Sequence, residues 1–226
     1  MDKELQLQEA EMQNTEMSLN EEEPKKRSGY TFYIVLAVIV LAILGFRFWF
    51  SSHFGRVEVS GNSMNQTLQD GESLLLEFVK DGEGLERGDV IVVDVTPYDF
   101  STSQGGQVSF LIKRLIAMEG DKVKCTDGQI SICYAGTVEY VPLEEPYAYY
   151  GGMLGMDQTD YDFAEYTVGE GEIFFLGDNR LNSVDSRYQE RGGSHLKNAL
   201  YKATDVYGVV PGWALEHRTL LNKLLF

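Results

Sequence analysis

The stretch SFLIKRLIAM, residues 109–118, sets a lysine inside an apolar run. Read as a strand, it places Phe110, Ile112, Arg114 and Ile116 on one face and Leu111, Lys113 and Leu115 on the other. Two readings of Lys113 follow from the residues alone. Its ammonium snorkels past the leucines to water or guards a sheet edge. Alternatively, the surroundings are dry enough for the amine to lose its proton and act as a base. A base of that kind needs a nucleophile to serve. VSGNSMNQTL, residues 59–68, breaks at Gly61 and presents Ser63 beside the apolar Met64; taken alone, it is a turn carrying a hydroxyl. In IFFLGDNRLNSVDSR, residues 173–187, an apolar strand runs into a loop holding Asp178, Asn179, Arg180, Ser183, Asp185, Ser186 and Arg187. Taken alone, that loop is a solvated one with weak Asp–Arg pairs.

Other chemistries lack their signatures. There is no glycine-rich phosphate loop, no His-Glu-x-x-His and no cysteine pair at zinc spacing, so neither a metal nor an organic cofactor is expected. A Ser-His-Asp triad could be assembled from His53, His195 or His217. The Gly-x-Ser-x-Gly pattern is absent, however, and the three histidines read as surface residues. The net charge of −16 argues against a nucleic-acid binder, which needs a basic face.

The elements that must position these residues begin with an apolar segment. Residues 1–28 read as a cytoplasmic disordered tail, polar and acidic up to Glu23. From Gly29 to Phe46 no residue is charged, and those 18 positions are about what a hydrocarbon core requires. Tyr30 and Tyr33 mark one end; Phe48, Trp49 and Phe50 mark the other. Lys25, Lys26 and Arg27 against the single Arg47 put the N-terminus inside. A cleaved signal sequence is the competing reading. The run is long for one, no small-x-small site follows it, and the bulky FRFWF stands where cleavage would fall. We read residues 29–50 as a retained transmembrane helix, with everything after it outside the cytoplasmic membrane.

Residues 51–226 read as one mostly-β domain, reached through a short linker from Ser51 to Arg56. Its strands are RVEVS, SLLLEF, DVIVVDV, VSFLIKRLIAM, KVKC, QISIC and EIFFL, separated by Gly-Asp, Asp-Gly and Gly-Glu turns. SHLKNALYK, residues 194–202, suggests one short helix. Glu144 to Gly171 has no clear period and reads as an excursion from the sheet. Asp127-Gly128 reads as a two-residue hairpin turn. That turn sets Cys125 opposite Ile130 and Cys133 opposite Lys122, so a disulfide would need a different loop.

Together the stretches resemble type I signal peptidases, membrane-anchored serine proteases with a Ser-Lys dyad. SGNSM with Thr67-Leu68 looks like the nucleophile box and RGDVIVV (87–93) like the strand box. KRLIAMEGD (113–121) looks like the base box and GDNRLNSVDSR (177–187) like the last one, in the family's order behind an anchor. The resemblance implies a folded β-sheet domain preceded by one transmembrane helix. It implies Ser63 as nucleophile, Lys113 as general base and Ser183 as a second hydroxyl orienting the amine. Arg114, Asp178, Asp185 and Arg187 become an ion-pair scaffold, and the Ser63 N–H an oxyanion donor. Gly61 stands where some members carry an additional serine donor. The implied substrates are signal peptides of exported preproteins with small residues before the cut, met at the bilayer by a monomeric enzyme.

The chain departs from the family at Gln66 and Glu119, where proline is usual, and beyond Arg187 only a loose likeness remains. That last stretch could narrow the range towards a dedicated client. A self-cleaving repressor-type protease shares the dyad but carries a DNA-binding module. An inactive peptidase-fold assembly module should have lost Ser63 or Lys113.

Overall fold

Apolar β-branched runs punctuated by turns do form sheets in the computed structural model, which describes residues 29–98, 108–150, 162–187 and 201–225. The chain divides into two compact units between Phe50 and Ser51. In the first, helix α1 (Gly29–His53) carries no acidic residue and buries none of its side chains within the protein. It is the one helix among the described residues long and apolar enough to cross a membrane. At about 1.5 Å per residue, its 25 residues exceed a hydrocarbon core of about 30 Å.

The second unit is mostly β. Strands β1 (Phe54–Glu58), β2 (Ser73–Phe78), β3 (Val90–Asp94), β4 (Phe110–Met118), β9 (Glu172–Leu176), β10 (Tyr201–Lys202) and β11 (Val206–Val210) form a seven-stranded sheet. Its order is β1-β2-β11-β3-β4-β9-β10, and every pairing is antiparallel. A smaller sheet, ordered β7-β6-β5-β8, joins β5 (Lys122–Thr126), β6 (Gln129–Cys133), β7 (Val141–Pro142) and β8 (Phe163–Thr167). Two short helices, α2 (Gly212–Glu216) and α3 (Arg218–Leu225), follow β11.

Three apolar clusters fill the domain, and β4 contributes to each. Leu115 sits with Ile91, Val93, Phe175 and Tyr201. Ile116 and Ala117 meet Val123, Ile130, Ile132 and Phe174 of the region shared with the small sheet. Ile112 packs against a third cluster containing Met64, Leu68, Val90 and Val92. A bulge between Leu115 and Ala117 lets one strand serve them, since an extra residue re-aims the side chains beyond it. The turn from β4 to β5 is clasped by Asp121. Its carboxylate accepts two hydrogen bonds from Arg87, at 2.6 and 2.7 Å, and one each from the Met118 and Ala135 N–H groups.

Several expectations need correction. Tyr201 and Lys202 are not helical; they pair with Ile173 and Glu172. Tyr201 is fully buried, with its ring edge-on to Tyr98 and tilted against Phe175, and that burial outweighs the local helical pattern. Residues 194–200 of the expected helix lie outside the described residues. Within Glu144–Gly171, residues 163–167 form β8, paired with β5, so the excursion is shorter than expected; residues 151–161 are not among those described. No linker precedes β1, because α1 runs to His53 and β1 starts at Phe54.

The β5–β6 hairpin has the expected register. Cys125 faces Ile130 and Cys133 faces Lys122, with positive φ of 51° at Asp127 and 75° at Gly128, as a type I′ turn demands. Both cysteines are free and buried. His53 and His217 are exposed; His195 falls outside the described residues.

Candidate active site

The nucleophile turn is built by burial. Leaving β1, the chain turns at Gly61 with φ of 87°, a value that favours a residue without a Cβ. The Gly61 N–H donates to Asp70 at 2.7 Å. Met64 and Leu68, four residues apart, both enter the core, and the Leu68 N–H donates to the Met64 carbonyl at 2.9 Å. Burying two such side chains contributes about 3–6 kcal/mol, enough to fix the turn and leave Ser63 half-buried at its tip.

Lys113 comes to the same place from the middle of β4, opposite Ile91 of β3. It is 2% exposed, so it does not snorkel. Its Nζ lies 2.8 Å from Ser63 Oγ and donates to the Ile112 carbonyl at 2.8 Å. Desolvation lowers its pKa from 10.5 to about 8, against the opposing charges of Asp185 and Asp178. The strand's apolar face therefore has an electrostatic result: a buried amine that titrates near neutral pH.

The loop after β9 ties β4 to the nucleophile turn. Asp178 receives Arg114 in fork geometry, Nε to Oδ1 at 2.8 Å and Nη2 to Oδ2 at 2.7 Å, while Arg114 Nη1 donates to the Gly88 carbonyl. Thr67 Oγ1 donates to Asp178 Oδ2 at 2.5 Å. Asn179 holds the nucleophile turn directly: its N–H donates to the Ser63 carbonyl at 2.9 Å and its Nδ2 to the Asn62 carbonyl at 3.0 Å. Asp185 pairs with Arg187 at 2.7 and 2.8 Å and accepts the Gly177 N–H at 3.0 Å. Burial alone would raise the Asp185 pKa; Arg187 and the Gly177 N–H overcome it and hold the carboxyl down at about 2.

The seven expected site residues thus converge, with one difference. Ser183 Oγ is near enough to Asp185 to favour its charged form, yet it is buried without a hydrogen bond of normal geometry, to Lys113 or to any other described group. Sequence reasoning missed Asn179, Thr67 and Gly177 as site residues. Asn179 stood in the quoted polar loop, but its partners lie 117 residues away for Nδ2, beyond any local pattern. At the two departures from the family pattern, Gln66 is exposed, and Glu119 Oε2 accepts the Gly171 N–H at 2.9 Å, tethering the turn that proline would stiffen.

The arrangement is chemically suited to acyl transfer: a hydroxyl, a dry amine within proton-transfer reach, and a Ser63 N–H that donates no hydrogen bond among the described residues. A family model described as signal peptidase, peptidase S26, matches residues 29–210. The chain belongs to that family. Among its relatives, signal peptidase I U of Bacillus subtilis (strain 168) is 34% identical over 168 residues, covering 72% of this chain and 80% of that one. Signal peptidase I T of the same strain is 33% identical over 181 residues, covering 76% and 83%. A crystal structure of a signal peptidase I from Enterococcus faecalis V583 matches at 28% identity with a TM-score of 0.40, covering 57% of this chain and 98% of the other. With relatives of that name matched over most of the chain, this family member is an enzyme, a peptidase of the signal peptidase I type.

Proposed function

We propose that the protein is a membrane-anchored serine endopeptidase that removes signal peptides from exported preproteins, with Ser63 as nucleophile and Lys113 as general base. The observation that carries this is the 2.8 Å approach of a buried, pKa-lowered amine to a serine hydroxyl. Neutral Lys113 takes the proton as Ser63 Oγ attacks the scissile carbonyl, and the Ser63 N–H meets the developing oxyanion. Lys113 then returns the proton to the departing amine, leaving an acyl ester on Ser63. A water that gives its proton to Lys113 attacks the ester, and collapse of that adduct frees the acid and restores the serine hydroxyl.

Arg114 and Asp178 fasten the loop after β9 to β4, and Asp185 and Arg187 hold that loop in shape. Ser183, whose buried hydroxyl makes no hydrogen bond of normal geometry among the described residues, acts as a positioning group for the amine. Helix α1 spans the bilayer with its N-terminus inside, as Lys25, Lys26 and Arg27 require. Residues 51–226 then form the extracytoplasmic peptidase domain and residues 1–28 the cytoplasmic tail.

The test is processing of a preprotein by the full chain in detergent micelles, with the product's N-terminus sequenced. A single cut after an Ala-x-Ala end is expected, and phenylalanine in place of the last alanine should block it. Absence of cleavage, or cuts scattered through the mature region, would refute the assignment.

A further inference from the structure

We infer that Glu145 is a positioning residue for this reaction, holding the nucleophile turn in place through Arg180 and Asn179. The inference rests on the Ser63–Lys113 reading above and adds a residue that none of the motif stretches contains. Arg180 is fully buried, and a buried guanidinium must find both a counter-charge and acceptors for its donors. It finds them in two directions. Nη1 and Nη2 both donate to the Glu145 carboxylate, Nη1 at 3.0 Å, and Nε donates to the Gly177 carbonyl at 3.0 Å. The Glu145 side chain is itself only 4% exposed. The pair is therefore enclosed at both ends, and its fork geometry leaves little play.

The backbone beside it is locked as well. The Tyr149 N–H donates to the Asp178 carbonyl at 2.7 Å and the Arg180 N–H to the Tyr149 carbonyl at 2.9 Å, a parallel bridge across Asn179. Between these two anchors, the Tyr147 ring lies over the Arg114 guanidinium, 3.9 Å from its centroid to Cζ. Residues 145–149 thus strap the loop 177–180 from the side away from the nucleophile turn. On its other side that loop presents Asn179, which grips the carbonyls of Asn62 and Ser63. Releasing Glu145 frees Arg180, and with it the backbone that aims Asn179. A nucleophile displaced by about 1 Å costs on the order of 100-fold in rate.

The experiment compares Glu145→Gln and Glu145→Asp with the wild type as full chains in micelles, on the preprotein used above. Ser63→Ala is included as a control, and folding is followed by near-ultraviolet circular dichroism and melting temperature. Glu145→Gln should lower kcat about ten- to hundred-fold, with KM changed less than about two-fold. The acid limb of its pH profile should stay where the wild type has it, because Glu145 is not among the groups that shift Lys113. Glu145→Asp keeps the charge but retracts it by one methylene, and should lose less. A folded Glu145→Gln enzyme with wild-type kcat overturns the inference, as does a loss fully explained by a smaller folded fraction. If Glu145→Gln fails to fold, Glu145→Asp decides, and wild-type kcat there overturns it. Cleavage that persists in Ser63→Ala would instead overturn the underlying serine-protease reading.

Discussion

Lys113→Met is expected to abolish cleavage and, at pH 7, to make the protein more stable. On the proposed mechanism the amine is the base that activates Ser63, and removing either member of such a unit costs about 10⁴- to 10⁶-fold in kcat. Ser63→Ala should lose as much activity, with little change in stability. The gain for Lys113→Met comes from linkage. The folded state holds this proton less tightly than the unfolded chain, with a pKa of about 8 against 10.5. Folding therefore bears a cost of about 3 kcal/mol wherever the unfolded lysine is fully charged and the folded one would be. That cost is complete below pH 8, shrinks as pH rises from 8 to 10.5, and is gone above. Methionine is apolar and of similar length, so it removes the cost. It also leaves the Ile112 carbonyl without its Nζ donor, a loss of about 1–2 kcal/mol. The net gain is about 1–2 kcal/mol at pH 7, read as a higher denaturation midpoint, and it should fade towards pH 10. A Lys113→Met protein less stable than wild type at pH 7 would show that the amine is not held in a dry site.

Gly177→Ala should strongly impair turnover. A Cβ at this position would overlap Ser183 Oγ and stand 2.5 Å from Ser183 Cβ and 2.6 Å from the Ser63 carbonyl oxygen. Real Cβ atoms do not approach so closely, so the neighbours must move, and both belong to the candidate site. The Ser63 carbonyl is the acceptor of the Asn179 N–H, so pushing it away shifts the nucleophile off its line to Lys113. We expect kcat to fall about 100-fold and the midpoint of unfolding to drop as the packing opens. Gly136→Ala offers the contrast: its added carbon meets nothing within 4 Å, although its φ of 78° makes it somewhat unfavourable for stability. A Gly177→Ala enzyme with unimpaired turnover would mean that the Ser183–Gly177–Ser63 contact plays no part in alignment.

Much of this was legible in the chain because local pattern and final environment agree. The strands are β-branched runs bounded by Asp-Gly and Gly-Asp turns, and Asp127-Gly128 dictates its hairpin register through residues that tolerate positive φ. Leu111 and Leu115 mark the face of β4 on which Lys113 loses its water. What was not legible depends on contacts between distant segments. Tyr201 sits in a helical-looking stretch but is claimed by Tyr98 and Phe175. Strand β8 hides in a segment without period because only its Phe163 is buried. Asn179 and Glu145 are ordinary loop residues until folding brings one to Ser63 and the other to Arg180. Nothing in their own neighbourhoods announces those partners.

The most direct test of the account is the pH dependence of kcat/KM for preprotein cleavage, since it reads the protonation state of the free enzyme's base. If Lys113 deprotonates Ser63, activity rises with pH along an acid limb governed by one group at about 8, and is lost below it as the amine takes up its proton. A limb near 6.5, where an ordinary histidine titrates, or a rate that stays flat from pH 6 to 9, would contradict it.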